Sequence, residues 1–417
     1  MSSMSESAVP ADGPVDKGVR KDAKVIALIA TAHFVSHFHL MLLPPIFGPV
    51  REAFGVSYIE IGVALTTYNI VSAVLQTPAG FVVDRVGPRA MLTGGLLLSS
   101  VALLVAALLP GYWLFVVAYA FLGLANTVYH PADYAILGAA IGPKRIGKAF
   151  SIHNFAGFFG SAVAPAVVLA AAAIWGWQGA FVLAAVLAIA AALLLIVVGA
   201  VLPRSPRHAS VGGPAKSTSV GLELLLSGPV IRNLIFFACI GMANGGIQTY
   251  SVVALGELWS TPPAVANMAL SGFLLFSAFG VLLGGIIADR TAHHERVAAV
   301  GFAFTSTMAM LMGWVDLPGA VLITVMSIGG LLNGVIQPSR DMMVRAVTPP
   351  GAFGKVFGFV STGFNIGGMA APLLYGWLMD RGQPRMIFLV VTLFTFLALF
   401  TAITRRKPQG IQHGLAD

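Results

Sequence analysis

The chain has 417 residues, of which 57% are hydrophobic and only 10% are charged, and its mean hydropathy is +0.88. A soluble domain carries about 25% charged residues, so this composition excludes a soluble globular protein and indicates a chain that lies largely in lipid. The net charge of +8 is then explained by membrane topology, and no nucleic acid partner is predicted. A single cysteine, Cys239, excludes an internal disulfide.

A polar stretch, residues 1–22, precedes the first apolar run and is predicted to be a disordered cytoplasmic tail. The first run has about 25 residues, whereas the core of a cleaved signal peptide has about 7–15, so we predict an uncleaved span. A membrane helix needs about 20 mostly apolar residues. By that rule the sequence predicts twelve spans, at 24–48, 59–82, 90–109, 112–140, 149–174, 178–201, 230–256, 264–288, 296–314, 318–346, 352–379 and 384–404. Residues 202–229, rich in Pro, Gly and Ser, are predicted to be a flexible cytoplasmic linker, and 405–417 a cytoplasmic tail.

The basic residues predict the orientation of these spans. Nearly all of them fall in alternate connecting segments, and only Arg51, Arg381 and Arg385 lie on the other side. Because Lys and Arg favour the cytoplasmic side of a bilayer, both termini are predicted to be cytoplasmic. The predicted location is the cell inner membrane, crossed many times, with the lipid bilayer as partner.

The two halves of the sequence resemble each other at an offset of 207 residues. The segment GLANTVYHP (123–131) aligns with GLLNGVIQP (330–338), and GKAF (147–150) aligns with GKVF (354–357). Several coincidences in one register indicate a parallel duplication of six spans. The predicted fold is therefore an all-α membrane protein with two six-helix bundles, residues 23–201 and 230–404. In transporters built from such repeats, the substrate site lies near the membrane midplane between them.

The segment GFVVDRVGPR, residues 80–89, resembles the signature of the major facilitator superfamily between the second and third spans. It keeps five signature positions, although Pro88 replaces a residue that is usually basic; the five are Gly80, Asp84, Arg85, Gly87 and Arg89. The second half repeats part of it with Asp289 and Arg290. The stretches HFVSHFHLMLLPP, VYHPADYA and SIHNFAGFFGSAVAP are similar to the fosmidomycin-resistance branch. That resemblance implies proton-coupled transport, often efflux, of small molecules that are often anionic or drug-like.

The same resemblance implies a conformational role for the signature. Gly80 would permit close helix approach, as small residues do in membranes. Asp84 would face the N-terminus of the eleventh span, near Gly354, where the helix dipole favours a carboxylate. Arg85 and Arg89 would complete a charge cluster that forms only when the cytoplasmic side is closed.

Ionisable residues inside spans are rare and usually functional. In this superfamily the first, fourth, seventh and tenth spans line the cavity, and seven polar residues are predicted there as substrate contacts or proton carriers: His33, His37, Tyr129, His130, Asn244, Gln248 and Gln337. Histidine suits proton transfer because its unperturbed pKa is about 6.5. The alternative is that neutral histidines pack passively, which we favour for His39 and His153. His33 and His37 have a spacing that suits zinc, but no further ligand follows nearby, and no metal or cofactor is predicted.

The repeat also places Arg340 at the position equivalent to Asp133. We predict an ion pair between them that joins the bundles and helps to close the cytoplasmic side. The alternative is that each residue pairs within its own bundle, Arg340 with the surroundings of Asp341.

These observations predict a monomeric secondary transporter that works by alternating access, with proton-coupled efflux of a small polar or anionic compound. A proton-coupled importer of an organic acid is the alternative within this class. A non-transporting membrane sensor is less well supported because the chain shows no signalling domain. No constellation of catalytic residues appears, so an enzyme is not predicted.

Overall fold

The computed structural model describes residues 14–142, 145–203, 222–349 and 353–403, and within those ranges every regular element is helical. The helices are α1 (Pro14–Leu40), α2 (Phe47–Phe54), α3 (Tyr58–Val86), α4 (Pro88–Leu108), α5 (Tyr112–Ala140), α6 (Ile146–Val198), α7 (Leu222–Leu225), α8 (Gly228–Gly245), α9 (Ser251–Trp259), α10 (Pro263–Arg290), α11 (His294–Trp314), α12 (Gly319–Arg345), α13 (Phe353–Asp380) and α14 (Pro384–Ile403). Short 3-10 turns lie at Pro44–Ile46 and Gly199–Val201, and a π-turn, Gly246–Tyr250, joins α8 to α9.

The long helix α6 contains two membrane spans. Its 53 residues would extend about 80 Å as a single rod, more than twice the thickness of a bilayer core. The helix breaks at Gly176, where φ is 70° and ψ is 174°. This conformation favours glycine, and it lets the chain reverse, so that Ala149 near the start and Leu195 near the end share one hydrophobic cluster.

The described chain therefore crosses the membrane twelve times. The spans are α1, α3, α4, α5, the two limbs of α6, α8 continued through the π-turn into α9, α10, α11, α12, α13 and α14. This number agrees with the hydropathy prediction, because backbone groups in lipid must be satisfied within a helix and the apolar runs are long enough for that.

The ends of the first span differ from the prediction. Helix α1 begins at Pro14, inside the segment predicted as a tail, and the Asp22 carboxylate pairs with the Arg145 guanidinium at 2.7 Å. The helix ends at Leu40 because the consecutive prolines Pro44 and Pro45 lack N–H donors for its continuation. Residues 1–13, 204–221 of the predicted linker and 405–417 lie outside the described residues.

The two bundles repeat the same helix pairs. In the N-terminal bundle α1 packs on the first limb of α6, and in the C-terminal bundle α8 packs on α13 in the same way. The pair α3 and α5 corresponds to the pair α10 and α12. The pair formed by α4 and the second limb of α6 corresponds to the pair α11 and α14. Asn126 donates to Ser72 Oγ at 3.3 Å, and its equivalent Asn333 donates to Ser277 Oγ at 3.2 Å. The duplication read from the sequence is thus confirmed by matched hydrogen bonds in the two halves.

Two glycines that match across the repeat occupy the same kind of contact. A Cβ at Gly123 would collide with the Tyr68 carbonyl of α3, and a Cβ at Gly330 would collide with the Phe273 carbonyl of α10. Both glycines therefore permit backbone-to-backbone packing, as is typical of membrane helices.

Among the described residues the bundles are in contact through α3 with α13 and through α6 with α10, and the hydrogen bonds between the bundles lie at one face of the molecule. We call the face near Tyr58 and Asp380 the distal face, and the opposite face, near the start of α1 and the end of α14, the terminal face. Helix α3 contacts α13 along its first three turns, where Thr66 donates to the Met369 carbonyl at 3.0 Å and Asn69 to the Gly368 carbonyl at 2.9 Å. The conformation is thus closed at the distal face.

Candidate functional site

A cavity of about 160 Å³ lies between the two bundles, directly inside the closed distal face. Its polar lining consists of amides, hydroxyls and one imidazole, contributed by both bundles: Ser36, His39, Tyr68, Asn69, Ser99, Tyr119, Asn126, Tyr129, Asn244, Gln248 and Thr249. No Asp, Glu, Lys or Arg lies among the described residues of this lining. The cavity is therefore suited to hydrogen bonding with a small polar molecule.

Three of the predicted cavity residues, Tyr129, Asn244 and Gln248, line this space. The side-chain amides of Asn244 and Gln248 have no hydrogen-bond partner among the residues that the structure describes. Gln248 belongs to the π-turn, a distortion that often occurs at functional sites. These two amides, one turn apart, are the best-placed free hydrogen-bonding groups of the C-terminal bundle.

His39 also lines the cavity, although the sequence favoured passive packing for it. Its Nε2–H donates to the Ala184 carbonyl of α6 at 3.2 Å. The sequence missed this position because His33 and His37 share a face of the helix and His39 does not. Four of the predicted cavity residues, His33, His37, His130 and Gln337, lie outside the lining.

A cluster of histidines lies within the N-terminal bundle instead. The His33 ring stacks on the His153 ring with centroids 3.8 Å apart, and lies 4.5 Å from the His37 ring and 5.2 Å from the His130 ring. His153, for which the sequence favoured passive packing, thus belongs to this histidine cluster. His37 turns toward Ser161, with Nδ1 at 3.3 Å from the hydroxyl oxygen.

Asp133 completes this cluster from α5. Its Oδ2 lies 3.4 Å from His33 Nδ1 and 3.8 Å from His153 Nε2, and all three side chains are buried. Neither oxygen of Asp133 accepts a hydrogen bond from a described residue. Buried polar atoms are normally hydrogen-bonded, and an unpaired buried carboxylate is strongly destabilising, so this group calls for a positive partner or a proton.

The cluster also satisfies the first requirement of a metal site. One ring nitrogen from each of three histidines, His33, His130 and His153, lies within 4.8 Å of the other two. No sequence pattern indicated this set, because its members come from three helices, α1, α5 and α6.

The predicted pair between Asp133 and Arg340 is not formed in this conformation. Arg340 Nη2 lies 2.9 Å from the carboxylate of its neighbour Asp341, and its guanidinium lies over the Phe237 and Phe364 rings. Arg340 is therefore engaged within its own bundle, and the ring nitrogens near Asp133, those of His33 and His153, belong to the bundle of Asp133. A pair that forms when the terminal face closes stays a prediction.

The signature residues are also placed apart from the C-terminal bundle. Asp84 and Arg85 are exposed at the terminal face, and a Cβ at Gly80 would meet no atom within 4 Å. Gly87 takes a φ of 101° before α4, and Arg89 donates to the Leu195 and Ile196 carbonyls at the end of α6. Asp289 and Arg290, the second copy, are exposed at the end of α10. The charge cluster expected for a closed terminal face stays a prediction.

Two six-helix bundles with a polar cavity between them, closed at one face, define a membrane transporter built from a repeat. The model of the Major Facilitator Superfamily matches residues 29–260 and 249–414, and the chain belongs to this family. The resemblance read from the signature is thereby confirmed.

Relatives of this chain include named resistance proteins. The fosmidomycin resistance protein of Escherichia coli K12 is 25% identical over 409 residues, covering 95% of this chain and 97% of the relative. The MFS-type transporter YfnC of Bacillus subtilis 168 is 25% identical, covering 87% and 88%.

A similar solved structure is a bacterial homologue to the human lysosomal transporter Spinster, in an inward-facing and unoccupied conformation. Its TM-score is 0.75 at 14% identity, covering 95% of this chain and 100% of that one. The likeness supports the fold alone.

Proposed function

We propose that this protein exports a small polar organic compound across the inner membrane in exchange for protons, with both termini in the cytoplasm. The observation that carries the proposal is the cavity between the bundles, closed toward the distal face by contacts between α3 and α13. Under the predicted orientation this is the state that receives substrate from the cytoplasm. The names of relatives that confer resistance support the export direction.

The lining of the cavity defines how the substrate is held. Asn244 and Gln248 offer free amides from one bundle, and Tyr129 offers a hydroxyl from the other, at 3.3 Å from Ser99 Oγ. A ligand that bridges the two sets would draw the bundles together as it is bound. Because Arg340 is engaged by Asp341, an anionic substrate is less well supported than an uncharged or zwitterionic one.

His39 is the side chain of the cavity that we propose for proton coupling. Histidine is the residue whose unperturbed pKa, about 6.5, allows a charge change near neutral pH. The other titratable groups of the lining are the phenols of Tyr68, Tyr119 and Tyr129, which ordinarily ionise near pH 10. The described lining residues that belong to the C-terminal bundle are uncharged. From α6, the Ala184 carbonyl accepts the hydrogen bond of the His39 ring.

The proposal is tested in proteoliposomes that contain a pH-sensitive dye and carry an imposed pH gradient. A panel of small polar compounds, fosmidomycin among them, is added, and the expected result is proton movement driven by one or more compounds. The Asn244→Ala, Gln248→Ala double variant should reduce this flux at least tenfold, which corresponds to about 1.4 kcal/mol of lost binding. Gln76→Ala, an amide on α3 outside the cavity, is the matched control and should transport normally.

Two results would contradict the proposal. Wild-type protein that moves no compound of the panel, while folded and correctly inserted, would argue against polar-solute transport. A compound whose flux is unchanged in the double variant would show that substrate binds elsewhere.

A further inference from the structure

The contact between α3 and α13 includes a hydrogen bond for which the sequence of α13 creates the need. Pro372 lies inside this helix, and a proline has no N–H to donate to the carbonyl four residues earlier, which is that of Gly368. Away from water, a carbonyl freed in this way must accept from a neighbouring helix or side chain. Here the donor is Asn69 of the opposite bundle, whose Nδ2 lies 2.9 Å from the Gly368 oxygen.

The orientation of the Asn69 amide follows from its surroundings. Its Nδ2 also donates to the Leu65 carbonyl of its own helix at 3.0 Å. Both neighbours of this atom are carbonyl oxygens, which only accept hydrogen bonds, so the atom between them is the nitrogen of the amide and not its oxygen. The two N–H groups of Asn69 are therefore both used, one within α3 and one across the bundles.

The neighbouring hydrogen bond between the bundles is made to a different kind of carbonyl. Thr66, one turn earlier on α3, donates to the Met369 carbonyl at 3.0 Å. The residue four positions after Met369 is Leu373, which has an N–H and continues the helix. Met369 therefore keeps a donor position within α13 whether or not Thr66 is present, whereas the Gly368 carbonyl lacks the donor that a helix normally supplies.

The repeat provides an internal comparison for this bond. At the offset of 207 residues, Pro165 of α6 matches Pro372, but the position that matches Asn69 is Phe276 of α10. A phenylalanine ring has no N–H or O–H to donate. The hydrogen bond from Asn69 to a carbonyl freed by proline is therefore particular to the α3–α13 contact and does not follow from the duplication.

We propose that Asn69 and the Gly368 carbonyl form a latch that keeps the distal face closed and that opens by exchange with water. Both residues line the cavity between the bundles, together with Pro372. When α3 and α13 separate, the carbonyl that Pro372 leaves free is exposed to water, which replaces the Asn69 amide as its donor. The latch therefore stabilises the closed conformation and leaves no buried unpaired carbonyl in the open one.

The latch makes Asn69 a positioning residue that sets the equilibrium between the two conformations. Without its amide, the closed conformation retains a carbonyl that has lost its donor, whereas in the open conformation water still satisfies this carbonyl. Removal of the Asn69 amide should therefore favour the open conformation more strongly than removal of the Thr66 hydroxyl. The inference rests on the proposed function in one respect, that the distal face opens during transport.

The test measures the opening of the distal face in purified full-length protein without any transported compound. Nitroxide labels are attached to Ala53→Cys on α2 and Gln383→Cys between α13 and α14, both exposed at the distal face, with Cys239 replaced by Ala. Double electron–electron resonance gives the populations of short and long distances between the labels. Asn69→Leu, which keeps the size of the side chain, should raise the ratio of long to short distances at least about tenfold.

Two further variants separate the latch from ordinary packing. Thr66→Val is the matched control one turn away, and it should raise the ratio only about threefold because Met369 keeps its helical donor position. Pro372→Ala restores an N–H for the Gly368 carbonyl, so Asn69→Leu should have little effect in that background. Such a loss of additivity is expected when two residues act through one contact. Asn69→Ala provides a second variant if Asn69→Leu does not fold.

Three outcomes would overturn the latch. These are an unchanged ratio in folded Asn69→Leu or Asn69→Ala protein, an equal shift in Thr66→Val, and an undiminished effect of Asn69→Leu in the Pro372→Ala background. Failure of the proposed function would show separately, as absence of compound-driven proton movement in proteoliposomes, since the distance measurement uses no compound.

Discussion

The carboxylate of Asp380, the last residue of α13, accepts a hydrogen bond from the backbone N–H of Tyr58, the first residue of α3, at 2.7 Å. Its second oxygen accepts from Ile59 N–H at 2.9 Å. The first amides of a helix have no partner within the helix, and here a residue of the opposite bundle supplies one. The next amide, of Glu60, is capped locally by the Ser57 hydroxyl. The distal face is therefore closed by a carboxylate at a helix N-terminus, where the dipole also favours it.

Replacing Asp380 with Ala should open the distal face more often. Hydrogen bonds to charged groups contribute about 1.5–3 kcal/mol each. Loss of such a bond should shift the equilibrium between the two conformations about tenfold or more. The measurement uses Thr249→Cys, in the cavity, with Cys239 replaced by Ala, and the rate at which an impermeant thiol reagent labels it from outside intact cells.

The matched control is Glu60→Gln, which alters a carboxylate at the same face. The Glu60 carboxylate accepts a hydrogen bond from the Ser57 backbone N–H, so this bond lies within one helix. It should leave the labelling rate near that of the parent. Equal rates in the Asp380 and Glu60 variants would show that the contact between bundles does not control closure.

A second prediction concerns the glycine contacts shared by the two halves. Gly330→Ala places a methyl group against the Phe273 carbonyl, so α10 and α12 must separate or shift. Overpacking of this kind typically destabilises by about 1–3 kcal/mol, and the thermal midpoint of the purified protein should fall. Gly94→Ala, on α4 with no atom within 4 Å of the added carbon, should leave the midpoint unchanged. If the two variants have the same thermal midpoint, close packing at Gly330 is not needed for stability.

The sequence predicted the spans and the repeat because these depend on composition and spacing alone. Apolar runs of sufficient length must be helices in lipid. Gly123 and Gly330 are aligned at the 207-residue offset of the repeat, and this alignment does not depend on how each helix is rotated. The break at Gly176 also fell between two predicted spans, since a Gly between apolar runs lets the chain reverse.

The rotation of each helix was beyond prediction, and the site depends on it. His33 and His39 are six residues apart, so at 100° per residue they point about 120° apart around α1. Only the packing of α1 against α6 decides that His39 reaches the cavity and His33 reaches His153. Asp380 was likewise missed, because its partner is a backbone amide that carries no sequence signal.

The orientation of the termini is a third prediction. In a background without Cys239, Asp316→Cys, in the exposed connection between α11 and α12, should react with an impermeant thiol reagent in intact cells. His293→Cys, exposed between α10 and α11, should react only after the membrane is permeabilised. The reverse pattern would place both termini outside and would contradict the basic-residue argument.

The last prediction distinguishes His39 from the other histidines of α1 in proton coupling. His39→Gln keeps a polar side chain of similar length that can still donate to the Ala184 carbonyl, but it does not change charge between pH 5.5 and 8. Transport by this variant should therefore lose most of its pH dependence, while expression and folding stay normal.

His37→Gln is the matched control for that experiment. It lies two residues away on the same helix, outside the cavity lining, with its Nδ1 near Ser161. We expect its transport to follow the wild-type pH profile, measured as compound-driven proton flux in proteoliposomes at fixed gradient and varied absolute pH. If His37→Gln flattens the profile and His39→Gln does not, the proton is carried on the face of α1 turned toward the N-terminal bundle. The role of His39 in the cavity would then be limited to holding substrate.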